Sequence, residues 1–263
     1  MRCDLWGLRP RCSSVSIPPH TIFMKVDNTQ NGQLDALFAA GAHFGLIRSR
    51  RHPSAKPYLF GVKNKIEIFD LEKTAQSLEK AKTFIEGIVA AGGLILFVGG
   101  KNEAQKSVHE GAQKSGMPVV AGRWLGGTMT NFSEIRKRIN KLEDLTSARE
   151  KGELAKYTKK ERLMIDREIV RLEKSFAGLT PMKMLPKALF VIDPKREHIA
   201  VQEAKNLGIP VVAVASSDCN MRDVEYPIPA NDASLASITY FVKEIVEAIE
   251  RGKTASTATA KKE

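Results

Sequence analysis

Three uninterrupted apolar runs constrain this chain more than anything else in it: Leu94-Ile-Leu-Phe-Val98, Ala188-Leu-Phe-Val-Ile192 and Ile209-Pro-Val-Val-Ala-Val214. A strand with one wet face alternates polar and apolar residues, whereas a strand covered on both faces reads as continuously apolar. Helical periodicity accompanies the runs, at about 101–115, 196–207 and 232–250, and Pro118-Val-Val120 and residues 224–228 add two short strands. Strands separated by helices pack as a parallel sheet with right-handed crossovers. The expected fold is therefore α/β, a doubly wound and mainly parallel sheet of the Rossmann or flavodoxin kind.

Ahead of the first run, Leu34, Leu37 and Phe38 keep helical spacing, with Gly41 placed as a C-terminal cap. Tyr58-Leu-Phe60 and Ile66-Glu-Ile-Phe69 read as strands joined by a turn at Lys63-Asn64-Lys65, and 71–90 as a helix ended by Gly92-Gly93. Residues 128–180 interrupt the alternation. Ile135, Ile139, Leu142 and Leu145 form one apolar stripe, Leu163, Ile169, Leu172 and Phe176 a second, and Gly152 lies in the turn between them. Two amphipathic helices on a short connection predict an inserted antiparallel hairpin of coiled-coil type. The expected division is a flexible extension over 1–30, a sheet domain over 31–127 and 181–251, the hairpin over 128–180, and a disordered small and polar tail over 252–263. Because the two ends of a hairpin meet, the insertion is expected to be removable without unfolding the sheet.

The 263 residues carry a formal charge of +11, which attracts either nucleic acid or an anionic membrane surface. No apolar run reaches the roughly 18 residues of a membrane span, so nucleic acid is favoured. Cys3, Cys12 and Cys219 are too few and too scattered for a disulfide framework or a zinc knuckle. Residues 1–23 contain Arg, Pro and Ser but no long apolar centre, which argues against a secretory signal, and Met24 is an alternative start.

The charge is unevenly spread. Arg48, Arg50, Arg51, Lys56, Lys63 and Lys65 follow one another with no acid before Glu67, while Pro53 and Pro57 keep this loop irregular. A solvated face mixes signs; a cluster of one sign is the footprint of phosphate binding. Between 131 and 176, thirteen Lys and Arg face nine Asp and Glu, many at helix-pair spacing. Surface salt bridges explain most of these, leaving Arg136-Lys137-Arg138 and Lys159-Lys160 as the candidates for phosphate. Gly99-Gly100-Lys101 follows a buried strand, but neither the G-x-x-x-x-G-K-[ST] nor the G-x-G-x-x-G spacing exists, so a nucleotide cofactor is not expected. Lys101 remains a candidate for one RNA phosphate at the start of a helix.

Where the sheet pattern gives way to the insertion stands Arg123-Trp-Leu-Gly-Gly-Thr-Met-Thr-Asn131. Gly126 and Gly127 permit close approach or positive φ, Arg123 a phosphate contact, and Asn131 a polar contact at the helix start. Trp124 is either a core plug beneath the hairpin or a platform for an unpaired base. The reading adopted is a packed indole that positions Arg123. No nucleophile, base and orienting group stand in order, and His20, His43, His52, His109 and His198 are scattered, so no catalytic residue is assigned.

This junction resembles the signature of bacterial small-subunit ribosomal protein two. So, in order, do Gly41-Ala-His-Phe-Gly45, Asn64-Lys-Ile-Glu-Ile-Phe-Asp-Leu-Glu-Lys-Thr74, Leu96-Phe-Val-Gly99 and Thr158-Lys-Lys-Glu161. Leu189-Phe-Val-Ile-Asp193, Glu197-His-Ile-Ala200, Glu203-Ala204, Asn206-Leu-Gly-Ile-Pro-Val211 and Tyr226-Pro-Ile-Pro-Ala-Asn-Asp232 continue the series over about 34–252. The resemblance implies a structural constituent of the small ribosomal subunit, located in the cytoplasm and bound to the ribosome. Its implied partners are small-subunit ribosomal RNA, neighbouring small-subunit proteins and protein S-one, with no membrane and no small-molecule substrate. It also implies support of subunit assembly and translation. Some members of that family hold a metal with a second His after the His-Phe-Gly triplet and with aspartates. Leu46 stands there here, so His43, Asp193 and Asp218 are weak candidates and no metal is expected. The alternatives are a free RNA-binding regulator and a nucleotide-dependent enzyme on a similar sheet.

Overall fold

The computed structural model describes residues 28–260, so the expectations placed on 1–27 and 261–263 lie outside it. Five strands form a parallel sheet in the order β5-β4-β6-β7-β8: β4 (Ile95–Val98), β5 (Val119–Val120), β6 (Ala188–Ile192), β7 (Val211–Ala215) and β8 (Tyr226–Pro229). The three apolar runs supply the three central strands, and β4, β6 and β7 are buried at every position. Alternate side chains serve opposite faces. Ile95, Phe97, Ala188, Phe190, Ile192, Val212 and Val214 join one core cluster, and Leu96, Val98, Leu189, Val191, Val211 and Ala213 the other.

The first face is covered by α2 (Leu71–Ala90), α3 (Asn102–Ser115) and α7 (Leu235–Ala260). Asp70 caps α2 by accepting the Glu72 N–H at 3.1 Å, and Thr74 Oγ1 donates to the Pro229 carbonyl at 2.7 Å. Helix α7 corrects the expected tail, since it continues to Ala260 instead of ending at residue 250. Gly252 packs on Val89, Arg251 pairs with Glu86 at 3.2 Å, and Lys253 donates to the Ser115 carbonyl, while the alanines that follow favour helix.

The second face is covered by α6 (His198–Asn206) and by α4 (Phe132–Glu150) with α5 (Lys159–Phe176). Ile135, Ile139, Leu142, Ile169, Leu172 and Phe176 are buried in the same cluster as the sheet residues Leu96, Val98, Leu189 and Val191. The two helices thus share a core with the sheet, the surface on which the inserted pair leans. The chain leaving α5 presses on β5, where a Cβ at Gly178 would run into the Val119 carbonyl. Ion pairs Lys141–Glu168 (2.6 Å) and Arg149–Glu173 (3.8 Å) join α4 to α5. They step forward along both helices, a direction that a strict antiparallel coiled-coil register would reverse.

Helix α1 (Asn28–Ala39) ends where Gly41 takes φ +69° and Ala42 N–H returns to the Leu37 carbonyl at 3.1 Å. It leads to a second, antiparallel sheet in the order β1-β3-β2: β1 (Phe44–Ile47), β2 (Leu59–Lys63) and β3 (Ile66–Phe69). Strand β1 went unread in the sequence because its four residues follow a helix cap directly and carry no alternation. The β2–β3 turn holds Asn64 and Lys65 at φ +52° and +66°, the twist that a two-residue hairpin requires.

Candidate nucleic-acid interface

The short antiparallel sheet gathers the basic residues. Ile47 pairs with Ile66 across it, and the Arg48 N–H donates to the Lys65 carbonyl at 3.1 Å, so Arg48 and Arg50 lie at the end marked by the Lys63–Lys65 turn. All four of these side chains are exposed, and among the described residues none forms an ion pair. Lys56 is also exposed. The loop between β1 and β2 is fastened to the residues after β7: His52 N–H donates to the Ser217 carbonyl (2.8 Å), Leu46 N–H to Ser217 Oγ (3.0 Å) and Met221 N–H to Ser54 Oγ (3.0 Å). Arg51 departs from the group, since it turns inward to the buried Glu67 at 3.3 Å. Its charge compensates a core carboxylate, so it is less free to meet a phosphate than its neighbours.

Lys101 is likewise paired. Its Nζ lies 3.5 Å from Asp193 and 3.4 Å from Asp232, residues that follow β6 and β8 as Lys101 follows β4, and so neutralises an internal acid cluster. Asp193, at φ +60°, Asp232 and the buried Cys219 bring their ligand atoms within 4.8 Å of one another, and Asp218 pairs with Lys195 at 2.8 Å. Burial first, then the charge of Asp193, pushes Asp232 up to about 6, and burial with the neighbouring aspartates pushes the Cys219 thiol far up. His43 does not join the cluster. Its ring stacks on Phe38 at 4.6 Å and tilts against Phe44 at 4.0 Å, and burial lowers its pKa. With Leu46 in place of a histidine and the Lys101 ammonium between two of the carboxylates, the residues present do not fit the family's metal.

The junction folds around a residue that sequence reasoning passed over. Glu203, on the inner face of α6, directs its carboxylate into residues 124–130. Oε1 accepts from Trp124 Nε1 (3.0 Å) and the Gly127 N–H (2.8 Å), and Oε2 from the N–H groups of Met129 (3.0 Å) and Thr130 (3.2 Å). Gly127 reaches this position at φ +89°, which a residue with a Cβ tolerates poorly. Burial alone would raise the pKa of Glu203, but these donors reverse the shift and hold it below the ordinary value. Trp124 is 5% exposed and belongs to the core, whereas Arg123, Gly126 and Asn131 face solvent. The signal that would have revealed Glu203 is its phase: an acid at a core-facing helical position between Ala200 and Ala204 has to be paired.

On α4 and α5, Arg138, Lys159 and Lys160 are exposed, and Lys137 makes a surface pair with Glu134 at 2.7 Å. Such pairs hold a lysine weakly. Arg136 is half-buried and reaches Glu143 at 3.8 Å. Lys159 and Lys160 open α5 behind a capping box in which Thr158 and Glu161 satisfy each other's backbone N–H groups.

A parallel sheet covered by helices on both faces, with a pinned basic loop beside it, defines a class, that of the doubly wound α/β proteins. Comparison with known proteins makes this particular. The family model of ribosomal protein S2 matches residues 37–252. The chain is 45% identical over 218 residues to the small ribosomal subunit protein uS2 of a Roseiflexus species, covering 83% of each protein. It is 43% identical over 223 residues to the uS2 protein of Acidothermus cellulolyticus, covering 84% of this chain and 81% of that one. The chain belongs to the ribosomal protein S2 family. It is a structural constituent of the small ribosomal subunit and not an enzyme.

Proposed function

We propose that the chain binds small-subunit ribosomal RNA through the basic end of its antiparallel sheet and, at a second place, through the cationic positions of α4 and α5. The observation that carries this reading is the convergence of Arg48, Arg50, Lys63 and Lys65, exposed and outside any ion pair among the described residues. Contacts of this kind position a protein on the phosphate backbone without reading sequence. Arg138, Lys137, Lys159 and Lys160 would meet a different RNA helix, and Arg123 the backbone near the junction. Exposed apolar side chains on the antiparallel sheet, Phe44, Ile47 and Phe60, would offer a face to neighbouring small-subunit proteins, protein S-one among them. Support of assembly and translation in the cytoplasm follows from those contacts, and the chain acts by neutralising charge and matching shape. Among the described residues no helix is long and apolar enough to cross a membrane.

The test is the salt dependence of RNA affinity. In the variant Arg48→Ala/Arg50→Ala/Lys63→Ala the log–log slope should fall by about 0.7–0.9 for each phosphate that the protein no longer neutralises. An unchanged slope would remove this end of the molecule from the interface.

A further inference from the structure

A cavity of about 940 Å³ opens among the segments that follow β4, β5 and β6, closed at its side by the end of α5. In the order β5-β4-β6 the chain reverses direction across the sheet at this place, where doubly wound folds hold their ligands. Three cations from three elements border it: Arg123 after β5, Lys174 near the end of α5 and Arg196 ahead of α6. All three are exposed, and among the described residues none is in an ion pair. Of the acids at the rim, Glu173 is engaged by Arg149 at 3.8 Å. Glu197 is buried, and burial raises its pKa. One wall is a single face of α3, carrying Asn102, Gln105 and His109. Two amides and an imidazole present both donors and acceptors to whatever enters.

The cavity is of the size that encloses a small ligand, and a convex duplex cannot enter it. A free nucleotide on such a fold would rest its phosphates on the loop after the first strand of the sheet. Here the Glu197 carboxyl group lies over Gly100 and hydrogen-bonds its backbone, so that seat is already filled. The cations are instead exposed at the cavity's edge. Resting on the RNA-binding reading above, we propose that this cleft takes one unpaired nucleotide of the RNA, its phosphate on Arg123 and Arg196 with Lys174 opposite, its base against Asn102, Gln105 and His109. Recognition of unpaired bases through their exposed edges is the usual route to sequence in RNA.

Three proteins decide it: the wild type, Arg123→Ala/Arg196→Ala and Gln105→Ala/His109→Ala. Each is titrated with small-subunit ribosomal RNA transcribed in vitro, and the bound RNA is probed with base-specific chemical reagents. The side chains changed are exposed or half-buried, so all three proteins should melt together. The arginine variant should lose about tenfold or more in affinity, and its salt slope should fall by about 0.7–0.9 per phosphate released. The α3 variant should keep the salt slope yet leave one unpaired base reactive that the wild type protects. Wild-type affinity and protection in both variants would overturn the proposal, while a weakened Arg48→Ala/Arg50→Ala/Lys63→Ala would still uphold the general reading. The four ribonucleoside 5′-monophosphates separate the two sources of a nucleotide. Failure to bind at millimolar concentration supports the polymer, and saturable binding that does not compete with RNA overturns it.

Discussion

At the scale of single residues, Glu203 organises the junction. Its carboxylate gathers donors from residues scattered over 124–130 into one nest, and a neutral amide of the same shape cannot serve them all. Glu203→Gln should cost roughly 3 kcal/mol or more, since a hydrogen bond to a charged group contributes about 1.5–3 kcal/mol and several are weakened at once. The pH dependence fixes the sign. The folded pKa lies below the unfolded value of 4.5, so the stability drawn from the charge is complete above about pH 4.5 and is lost as pH falls through the folded value. The difference in urea midpoint between wild type and Glu203→Gln should therefore be largest near pH 7 and shrink as pH falls below about 4.5. Subtracting the variant cancels Asp232, which takes up its proton from about pH 6 downward and shifts stability in the opposite sense. A difference that stayed constant down to pH 3 would mean that shape, not charge, holds the nest.

At the scale of elements, α4 and α5 contribute core as well as surface. Ile139 and Ile169 are fully buried in the cluster that includes Leu96 and Val191, whereas Leu163 and Met164 are exposed. Ile139→Ala or Ile169→Ala should cost about 2–5 kcal/mol as cavities open, while Leu163→Ala or Met164→Ala should stay within about 0.5 kcal/mol, read from chemical denaturation. Neutral isoleucine variants would make the helices an independent arm. The same cluster explains what was legible in the sequence. The runs that became β4, β6 and β7 were readable because burial on both faces leaves an unmistakable apolar signature. Helix α2, with its Asp70 cap and regular period, was equally plain. Four-residue β1, directly behind a helix cap, carries too few positions for any period to register. The ion pairs of Lys101 and Arg51 were illegible for a different reason. Both are cations in loops, and only the tertiary structure brings Asp193, Asp232 and Glu67 to them. Glu203 is the converse, a helix acid whose partners arrive from a loop far away in sequence.

At the scale of the whole molecule, an excess of +11 on 263 residues is compatible with a folded monomer but is neutralised when phosphate surrounds it. The chain should sediment with small subunits in low salt and remain there at moderate salt, because multiple dispersed contacts release together only at high ionic strength. A chain found mainly at the top of the gradient at every salt concentration would exclude the structural reading. The order of strands also governs how the protein is made. Strand β4 is an interior strand of the sheet, yet its partner β6 begins only at Ala188, after α4 and α5 have been synthesised. A nascent chain that has emerged only as far as β5 holds a two-stranded fragment with one apolar edge waiting. Pairing across so long an interval is slow, and the waiting edge is the part most exposed to misassembly. Elongation rate through residues 121–187 is thus a determinant of yield, and chaperone occupancy should peak on that interval of the growing chain.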